Sequence, residues 1–198
     1  MRHVILTGHD APTTPDFPLN DLPGGAGRMD LLARSLISAL LLSHDIRADT
    51  RVTLVLADEV ALRFEGEELR GLHPDERSTA AQVRAALEEV EDLVGPREVE
   101  VGSGIYGSRR GFEAVVRDAA EEGTVVQLHE DGEGAGGVEP PADPVLVLSD
   151  HQDFTDEEQA VLDEVAELRV SLGPERIHAD DAIAVAHNWL DTAGFEAY

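Results

Sequence analysis

Short apolar segments that end at glycine or polar turn residues alternate with longer segments in which apolar residues recur at helical spacing. The short segments predict buried strands at residues 3–7, 51–57, 98–101, 124–129, 145–148 and 168–172. The longer segments predict helices at residues 28–43, from 78 or 79 to 94, from 108 to about 123, and from about 178 onwards. Strands that alternate with helices are typical of α/β domains. We therefore predict an α/β fold with a mainly parallel sheet flanked by helices.

The second predicted helix has clear end signals. Ser78 or Thr79 can cap its start, and Gly95 followed by Pro96 stops it. The helical spacing predicts that its apolar side chains all face inward, namely Val83, Leu87, Val90 and Val94.

Segments rich in glycine, proline or acidic residues interrupt this pattern. Residues 8–27 contain four prolines and three closely spaced glycines near their end, which predicts a long loop of the kind that is usually functional or disordered. Residues 60–64 and 68–72 flank Glu65-Gly66-Glu67 and predict a hairpin. Residues 102–107 are glycine-rich, and residues 130–143 predict an acidic surface loop.

The stretch from residue 144 to 190 is the strongest candidate for a binding site. One apolar run ends in Ser149-Asp150-His151, and the next ends in Gly173-Pro174-Glu175. Ligand sites in α/β proteins lie outside the carboxyl ends of buried parallel strands. We interpret these turns as a site for a small polar metabolite, although ordinary strand-to-helix turns would give the same spacing.

The charge of the chain is unusual. Asp and Glu number 41 against 15 basic residues, giving a formal net charge of -26, and every basic residue is Arg. The acidic residues are spread along the chain, which favours a protein that works in high salt over one with a basic partner. Nucleic acid is not excluded, because a basic footprint can be local.

Several classes of protein are excluded or disfavoured. The chain has no Cys, so disulfides, thiolate metal sites and Cys nucleophiles are excluded. No stretch is long enough to span a membrane, and the start of the chain has no signal-peptide pattern, so we expect a cytoplasmic protein. At 198 residues, the chain fits one domain.

Two smaller groups of residues, two His-Asp pairs and three arginines, each allow more than one interpretation. His9-Asp10 and Asp150-His151 could ligate a metal, but structural or ligand-contacting roles fit an α/β strand end better, and we predict no metal. Arg77, Arg109 and Arg110 are candidates for contacting RNA phosphates. The alternative for Arg110 is an ion pair with an acidic residue on the next helix.

Several long stretches together resemble one known family. They are TGHDAPTTPDFPLNDLPGGAGRMDLL near the start, HPDERSTA and YGSRRGF in the middle, and VLSDH and SLGPERIHADDAIAVAHNWLD near the end. They resemble the archaeal tRNA pseudouridine-54 N1-methyltransferases of the SPOUT class, particularly halophilic members. The resemblance covers essentially the whole chain.

This resemblance implies a single SPOUT domain over residues 1–198 with a deep trefoil knot over about residues 125–198. It implies that S-adenosylmethionine binds in a bent conformation between the knot loops. Carried over by position, the cofactor-binding residues are Leu128, Ser149, Asp150, Ser171, Leu172, Gly173, Pro174, Glu175, Arg176 and Ile183. Many relatives have Gly in place of Ser149 and Cys near Ala182 or Ile183, so individual contacts can differ.

The implied activity is methyl transfer to N1 of pseudouridine 54 in tRNA, without a metal. The alternatives are a ribosomal-RNA pseudouridine N1-methyltransferase, indicated by the element from His73 to Arg77, and a non-catalytic knotted RNA-binding module. The candidate proton acceptors are Asp58, at a strand end, and Asp30. Both also have structural interpretations.

The resemblance also implies a homodimer. The apolar residues of the last predicted helix give this modest local support, namely Ala182, Val185, Ala186, Trp189 and Leu190. The alternative is that this face covers the sheet.

Overall fold

The computed structural model describes residues 1–197 and contains one eight-stranded sheet with helices on both faces. The strands are β1 (Arg2–Gly8), β2 (Thr50–Leu56), β3 (Val60–Glu65), β4 (Val99–Gly102), β5 (Ile105–Ser108), β6 (Thr124–Gly134), β7 (Pro144–Ser149) and β8 (Leu168–Ser171). The helices are α1 (Leu22–Gly25), α2 (Met29–Leu40), α3 (Glu76–Val90), α4 (Phe112–Glu122), α5 (Asp156–Val165) and α6 (Ala179–Asp191).

The strand order is β4-β5-β3-β2-β1-β7-β6-β8. The pairs from β2 across β1, β7 and β6 to β8 are all parallel. The pairs of β3 with β2, of β5 with β3 and of β4 with β5 are antiparallel and complete the other edge. The predicted α/β fold with a mainly parallel, helix-flanked sheet is confirmed.

Alternation along the central strands divides the core into two layers. In β1, Val4 and Leu6 point into the layer that contains α2, α3 and α6, whereas Ile5 points into the layer that contains α4 and α5. Both faces of β1 are buried, which explains why its sequence is a nearly continuous apolar run rather than an alternation of apolar and polar residues.

The last helix packs on α2 and on the connection between β6 and β7. Trp189 is fully buried, and its Nε1 donates to the carbonyl of Val138 at 3.2 Å. His187 contacts the carbonyl of Ala39 on α2. The apolar face of α6 is therefore used within the chain: Ala182, Ala186 and Trp189 are buried, and Val185 and Leu190 are partly buried.

The predicted hairpin around Gly66 is wrong. Strand β3 instead pairs with β2 across a tight turn in which Ala57 and Asp58 both have positive φ, and residues 68–72 form no strand. Positive φ is uncommon in residues other than Gly, Asn and Asp. The alanine at position 57 therefore gave no sign in the sequence of a tight turn between β2 and β3.

Three element boundaries also differ from the prediction. Helix α3 starts at Glu76 after the cap Asp75 and ends at Val90, so Val94 lies beyond it and is 97% exposed rather than inward-facing. The glycine-rich residues 102–107 include strand β5. Strand β6 continues to Gly134, through part of the predicted acidic loop.

Among residues 1–197, no helix is both long enough and apolar enough to cross a bilayer.

Candidate functional site

A cleft lies where the neighbouring parallel strands β6, β7 and β8 reach their carboxyl ends. Its cavity volume is about 100 Å³, and the cleft is partly open to solvent. Its lining residues are Leu128, His129, Glu130, Leu148, Ser149, Asp150, Gln152, Asp153, Phe154, Val170, Ser171, Leu172, Gly173, Glu175, Arg176, Ile177, Ala179 and Ala182.

Two turns form opposite walls of the cleft, and each is shaped by its own side chains. In the turn after β7, Ser149 Oγ donates to the carbonyl of Gln152, and Asp150 Oδ1 accepts from the Gln152 amide at 2.9 Å. In the turn after β8, Ser171 Oγ donates to the carbonyl of Gly173 at 2.8 Å. Each of these bonds joins residues of the same turn, so it helps to set the backbone conformation of that turn.

The cleft brings together most of the residues predicted to bind the cofactor. Those that line it are Leu128, Ser149, Asp150, Ser171, Leu172, Gly173, Glu175 and Arg176. Pro174 lines a neighbouring depression beside Phe195 instead. Ile183 is wholly buried in the core, so the structure gives it no surface for ligand contact; Ala179 and Ala182, on the same helix, line the cleft.

Three further residues that line the cleft were not predicted from the sequence and follow Asp150 in the same turn. Gln152, Asp153 and Phe154 all line the cleft, and the turn ends where Thr155 caps α5. Thr155 and Glu158 form a capping box, with the Glu158 amide donating to Thr155 Oγ1 at 3.2 Å. This T-x-x-E pattern was visible in the sequence and could have marked the whole turn as lying between strand and helix.

The cleft has a negative electrostatic character. Carboxylates line it at Glu130, Asp153 and Glu175, against the single guanidinium of Arg176, whereas the side chain of Asp150 is buried. Arg176 pairs with both Asp153 and Glu130, so its side chain bridges two of these acidic residues. An excess of carboxylates favours a ligand that carries positive charge.

Behind the cleft, His9 lies between two buried carboxylates. Its Nδ1 is 3.1 Å from Asp150 Oδ1, and its Nε2 is 2.8 Å from Glu158 Oε2. The side chains of Asp150 and Glu158 are only 1% and 7% exposed. Thr7 Oγ1 also donates to Glu158, at 3.1 Å. The cluster thus joins the end of β1 to the turn after β7 and to the first turn of α5.

The two carboxylates keep His9 charged. Hydrogen bonds to Asp150 and then Glu158 raise the pKa of His9 from 6.5 to about 10, and burial opposes this only partly. Burial is the largest single influence on Asp150 and Glu158 and opposes their ionisation, but the hydrogen bond from His9, a backbone N–H donor and the nearby positive charge together lower the pKa of each carboxyl. An imidazolium with both N–H groups bound to carboxylates satisfies every polar atom of the ring.

The two His-Asp pairs singled out in the sequence do come together. His151 Nδ1 is 3.3 Å from Asp150 and its Nε2 is 4.0 Å from Asp10, close to His9. Within residues 1–197 no group of His, Asp and Glu is arranged to hold a metal ion.

The candidate proton acceptors lie outside the cleft and already have partners. Asp58 Oδ1 accepts from the Phe112 amide at 2.6 Å, at the start of α4. Asp30 is buried and accepts two bonds from Arg28, each 3.0 Å long, and one from Arg34. Burial opposes ionisation of Asp30, but Arg28 and Arg34 hold its pKa below the ordinary value.

The predicted RNA-contacting arginines are dispersed. Arg109 Nη2 donates to the last carbonyls of α3, at Val90 and Glu91. Arg110 pairs with Asp118 on α4, as its alternative interpretation proposed. Arg77 lies in the first turn of α3 and is exposed.

Most of the arginines are paired with carboxylates. The ion-paired ones are Arg2, Arg28, Arg34, Arg47, Arg51, Arg63, Arg110, Arg117 and Arg176. A positive surface patch must therefore be sought among the remaining arginines.

Comparison with known proteins gives a consistent match over nearly the whole chain. A family model for SAM-dependent RNA methyltransferases matches residues 1–195. A protein of Haloarcula marismortui named tRNA (pseudouridine(54)-N(1))-methyltransferase is 60% identical, with both chains covered completely. Relatives with the same name occur in Haloferax volcanii, at 59% identity over the full length of both chains, and in Methanocella arvoryzae, at 45% identity over 96% of this chain and 97% of the relative.

A solved structure shares the fold. The crystal structure of Archaeoglobus fulgidus Nep1 bound to S-adenosylhomocysteine superposes with a TM-score of 0.61 over 96% of both chains, at 15% sequence identity. At this identity the likeness concerns the fold alone.

The charge cluster around His9 predicts a specific pH dependence. Because the pKa of His9 is higher in the folded chain than its ordinary value, its stabilisation is complete below about pH 6.5 and is lost as the pH rises towards 10. Unfolding by urea at constant KCl should show the parent losing stability across this interval. His9→Gln should be less stable at pH 6.5 and should show a much flatter dependence. Equal slopes for the two proteins would contradict the assigned ionisation.

Proposed function

Since the chain belongs to the SAM-dependent RNA methyltransferase family and to its archaeal tRNA (pseudouridine(54)-N(1))-methyltransferases, we propose that it transfers a methyl group from S-adenosylmethionine to N1 of pseudouridine 54 in tRNA. The observation that carries this proposal is the 60% identity, over the full length of both chains, to a relative with that name. The position and chemistry of the cleft support it independently.

The cleft fits S-adenosylmethionine in charge. This cofactor carries a positive sulfonium and a positive amino group against one carboxylate, and the cleft offers the carboxylates of Glu130, Asp153 and Glu175 against one guanidinium. Apolar surface from Leu128, Leu172 and Phe154 suits the adenine ring. We propose that the turns after β7 and β8 hold the cofactor, with Gly173 allowing close approach.

The residues of this chain act mainly by positioning. The bound cofactor supplies a methyl group that is already activated by the sulfonium. The turns at 149–154 and 171–176 fix the methyl donor, and the RNA surface must hold N1 in line with it. His9 acts indirectly, because it holds Asp150 and therefore the wall that Asp150 shapes.

The N1 proton must leave as the methyl–nitrogen bond forms. The contacts of Asp58 and Asp30 support structural roles, since one binds the start of α4 and the other binds two arginines. We propose that positioning is sufficient and that water accepts the proton.

A trefoil knot over about residues 125–198 belongs to this proposal. Strand β8 lies at the sheet edge beside β6, yet the following helix α6 packs on α2 near the sheet centre. Trp189 on α6 bonds to Val138, within the connection that leads from β6 to β7. A chain that passes back beside this connection supports threading of the carboxyl-terminal segment, within one domain that spans the chain.

We also propose a homodimer that works in the cytoplasm, where tRNA is modified. The apolar face of α6 supports it less than the sequence suggested, because Ala182, Ala186 and Trp189 are buried within one chain. The dimer proposal therefore rests on the family resemblance and requires another surface. Sedimentation in molar KCl should report twice the chain mass, and a fully active monomer would refute it.

Activity can be tested with three RNAs in molar KCl. A tRNA transcript with pseudouridine at position 54 should gain one methyl group, detected by mass spectrometry as 1-methylpseudouridine. The same transcript with uridine at position 54 should not react, because uridine has its sugar bonded to N1. Transfer only to a pseudouridine-containing ribosomal RNA fragment would support the rival enzyme, and binding without transfer would support the non-catalytic module.

The cofactor position can be tested at Gly173. A Cβ at Gly173 would meet no heavy atom within 4 Å, so a side chain there should occupy open space at the edge of the cleft without disturbing the turn. Gly173→Val should weaken S-adenosylmethionine binding by tenfold or more, equivalent to about 1.4 kcal/mol. Gly136→Val is the control, since Gly136 is equally open and lines only the neighbouring depression, which Gly173 also borders. Unchanged calorimetric affinity for the Gly173 variant would place the cofactor elsewhere.

The role of Asp58 can be tested with two substitutions. Asn keeps an oxygen that can accept from the Phe112 amide, whereas Ala removes it. We expect Asp58→Asn to keep single-turnover transfer within about threefold of the parent, and Asp58→Ala to lose about 1 kcal/mol of stability. A general base would instead contribute about 10²–10⁴-fold. A loss of that size in Asp58→Asn, partly recovered at high pH, would restore Asp58 as the base.

A further inference from the structure

Most of the arginines without a carboxylate partner lie on α3 or close to its ends. Within residues 1–197 the unpaired arginines are Arg70, Arg77, Arg84, Arg97, Arg109 and Arg169, and Arg169 differs from the others because it lies on β8, at the opposite edge of the sheet. Arg77 and Arg84 are on α3, Arg70 lies just before it, and Arg97 and Arg109 lie near its end. In a chain with a formal net charge of -26, such a grouping of unneutralised cations requires an explanation.

Helix geometry places Arg77 and Arg84 on the same face of α3. They are seven residues apart, which is close to two turns, or about 10 Å along the axis. Ala81 lies between them on this face, and its small side chain leaves both guanidinium groups accessible. The buried residues of α3, such as Val83 and Ala86, face the core.

Arg70 flanks this face and is held in place. Its guanidinium donates to the carbonyls of Glu67 and Leu69, and its own carbonyl accepts from Gln82 on α3 at 2.9 Å. Bonds to carbonyls leave the positive charge of Arg70 unneutralised. Glu88 follows Arg84 by one turn, so the positive surface is confined to the first half of α3.

This surface begins close to the cleft. Arg34 joins the two helix starts, with Nη1 3.4 Å from Glu76 on α3 and Nε 3.0 Å from Asp180 on α6. Asp180 follows Ala179, which lines the cleft. One arginine side chain therefore separates the start of α3 from the helix that forms part of the cleft wall.

We propose that the surface formed by Arg70, Arg77 and Arg84 binds the phosphate backbone of the RNA beside the nucleotide that enters the cleft. This inference rests on the proposed function for the identity of the RNA. In molar salt the Debye length is about 3 Å, so repulsion from distant carboxylates is screened and direct contacts decide binding. Guanidinium groups that lack carboxylate partners can bind phosphate without first breaking an ion pair.

The test is the salt dependence of RNA binding. Affinity for the pseudouridine-containing tRNA transcript would be measured across a KCl range in which circular dichroism shows all variants folded. Each phosphate contact contributes about 0.7–0.9 to the slope of log affinity against log salt concentration. We expect Arg77→Gln and Arg84→Gln each to weaken binding and reduce the slope by about that amount, and the double variant to lose about twice as much.

Arg117→Gln is the matched control because it removes the same charge from α4, where Arg117 is paired with Glu113 and Glu164. Arg117→Gln should leave the slope unchanged. The double variant with Arg77→Lys and Arg84→Lys should retain most of the slope of the parent. Thermal unfolding of the α3 variants should match the parent, because these side chains form no ion pairs. Equal slopes for the double Gln variant, the control and the parent would overturn the proposal.

The outcome is separable from that of the proposed function. If the parent methylates tRNA but the α3 variants bind RNA like the parent, only this surface is refuted. If the parent transfers no methyl group, the proposed activity fails, whatever the salt slopes show.

Discussion

The His9 imidazolium, bound between two buried carboxylates, joins the end of β1 to the segment from Asp150 to Glu158, which is 141–149 positions away in sequence. Through Asp150 it fixes the turn after β7, and through Glu158 it fixes the start of α5. The backbone amide of His9 also donates to Asp150, at 3.1 Å. Each buried charge needs its partner, since removing one would leave the others uncompensated in a poorly solvated site. The wall of the cleft therefore depends on a contact made behind it.

This arrangement separates positioning from ligand contact. Asp150 borders the cleft although its carboxylate is buried, whereas His9 and Glu158 do not line it. The shape of the turn at 149–154 is set by Asp150 accepting the Gln152 amide on one side and His9 on the other. A methyl donor needs a fixed orientation relative to its acceptor more than it needs acid–base groups, because its leaving group is already activated. A rigid turn meets that requirement.

The distribution of arginine complements the acidic surface. Most guanidinium groups are committed to carboxylates, as in the set formed by Arg34 with Asp30, Glu76 and Asp180. These ion pairs neutralise the positive charge of the arginines and connect the first turns of neighbouring helices. The few arginines left without carboxylates can then define an RNA surface by position, although the chain as a whole is strongly negative.

Sequence patterns predicted the parallel part of the sheet because its strands are buried on both faces and end in recognisable turns, as at Ser149 and Gly173. The same patterns predicted most of the cleft, since strand ends in such sheets face one site. They failed at β3, whose pairing depends on positive φ at Ala57 and Asp58, and at Val94, where apolar spacing continues past the end of α3. The bond between His9 and Glu158 joins residues 149 positions apart, which no local pattern can reveal.

The most direct test of this account is a crystal structure of the chain with S-adenosylhomocysteine. The account predicts that the ligand occupies the cleft, in contact with the turns at 149–154 and 171–176, while His9 keeps its bonds to Asp150 and Glu158. A ligand bound outside the cleft, for example beside Asp58 at the carboxyl end of β2, would contradict it.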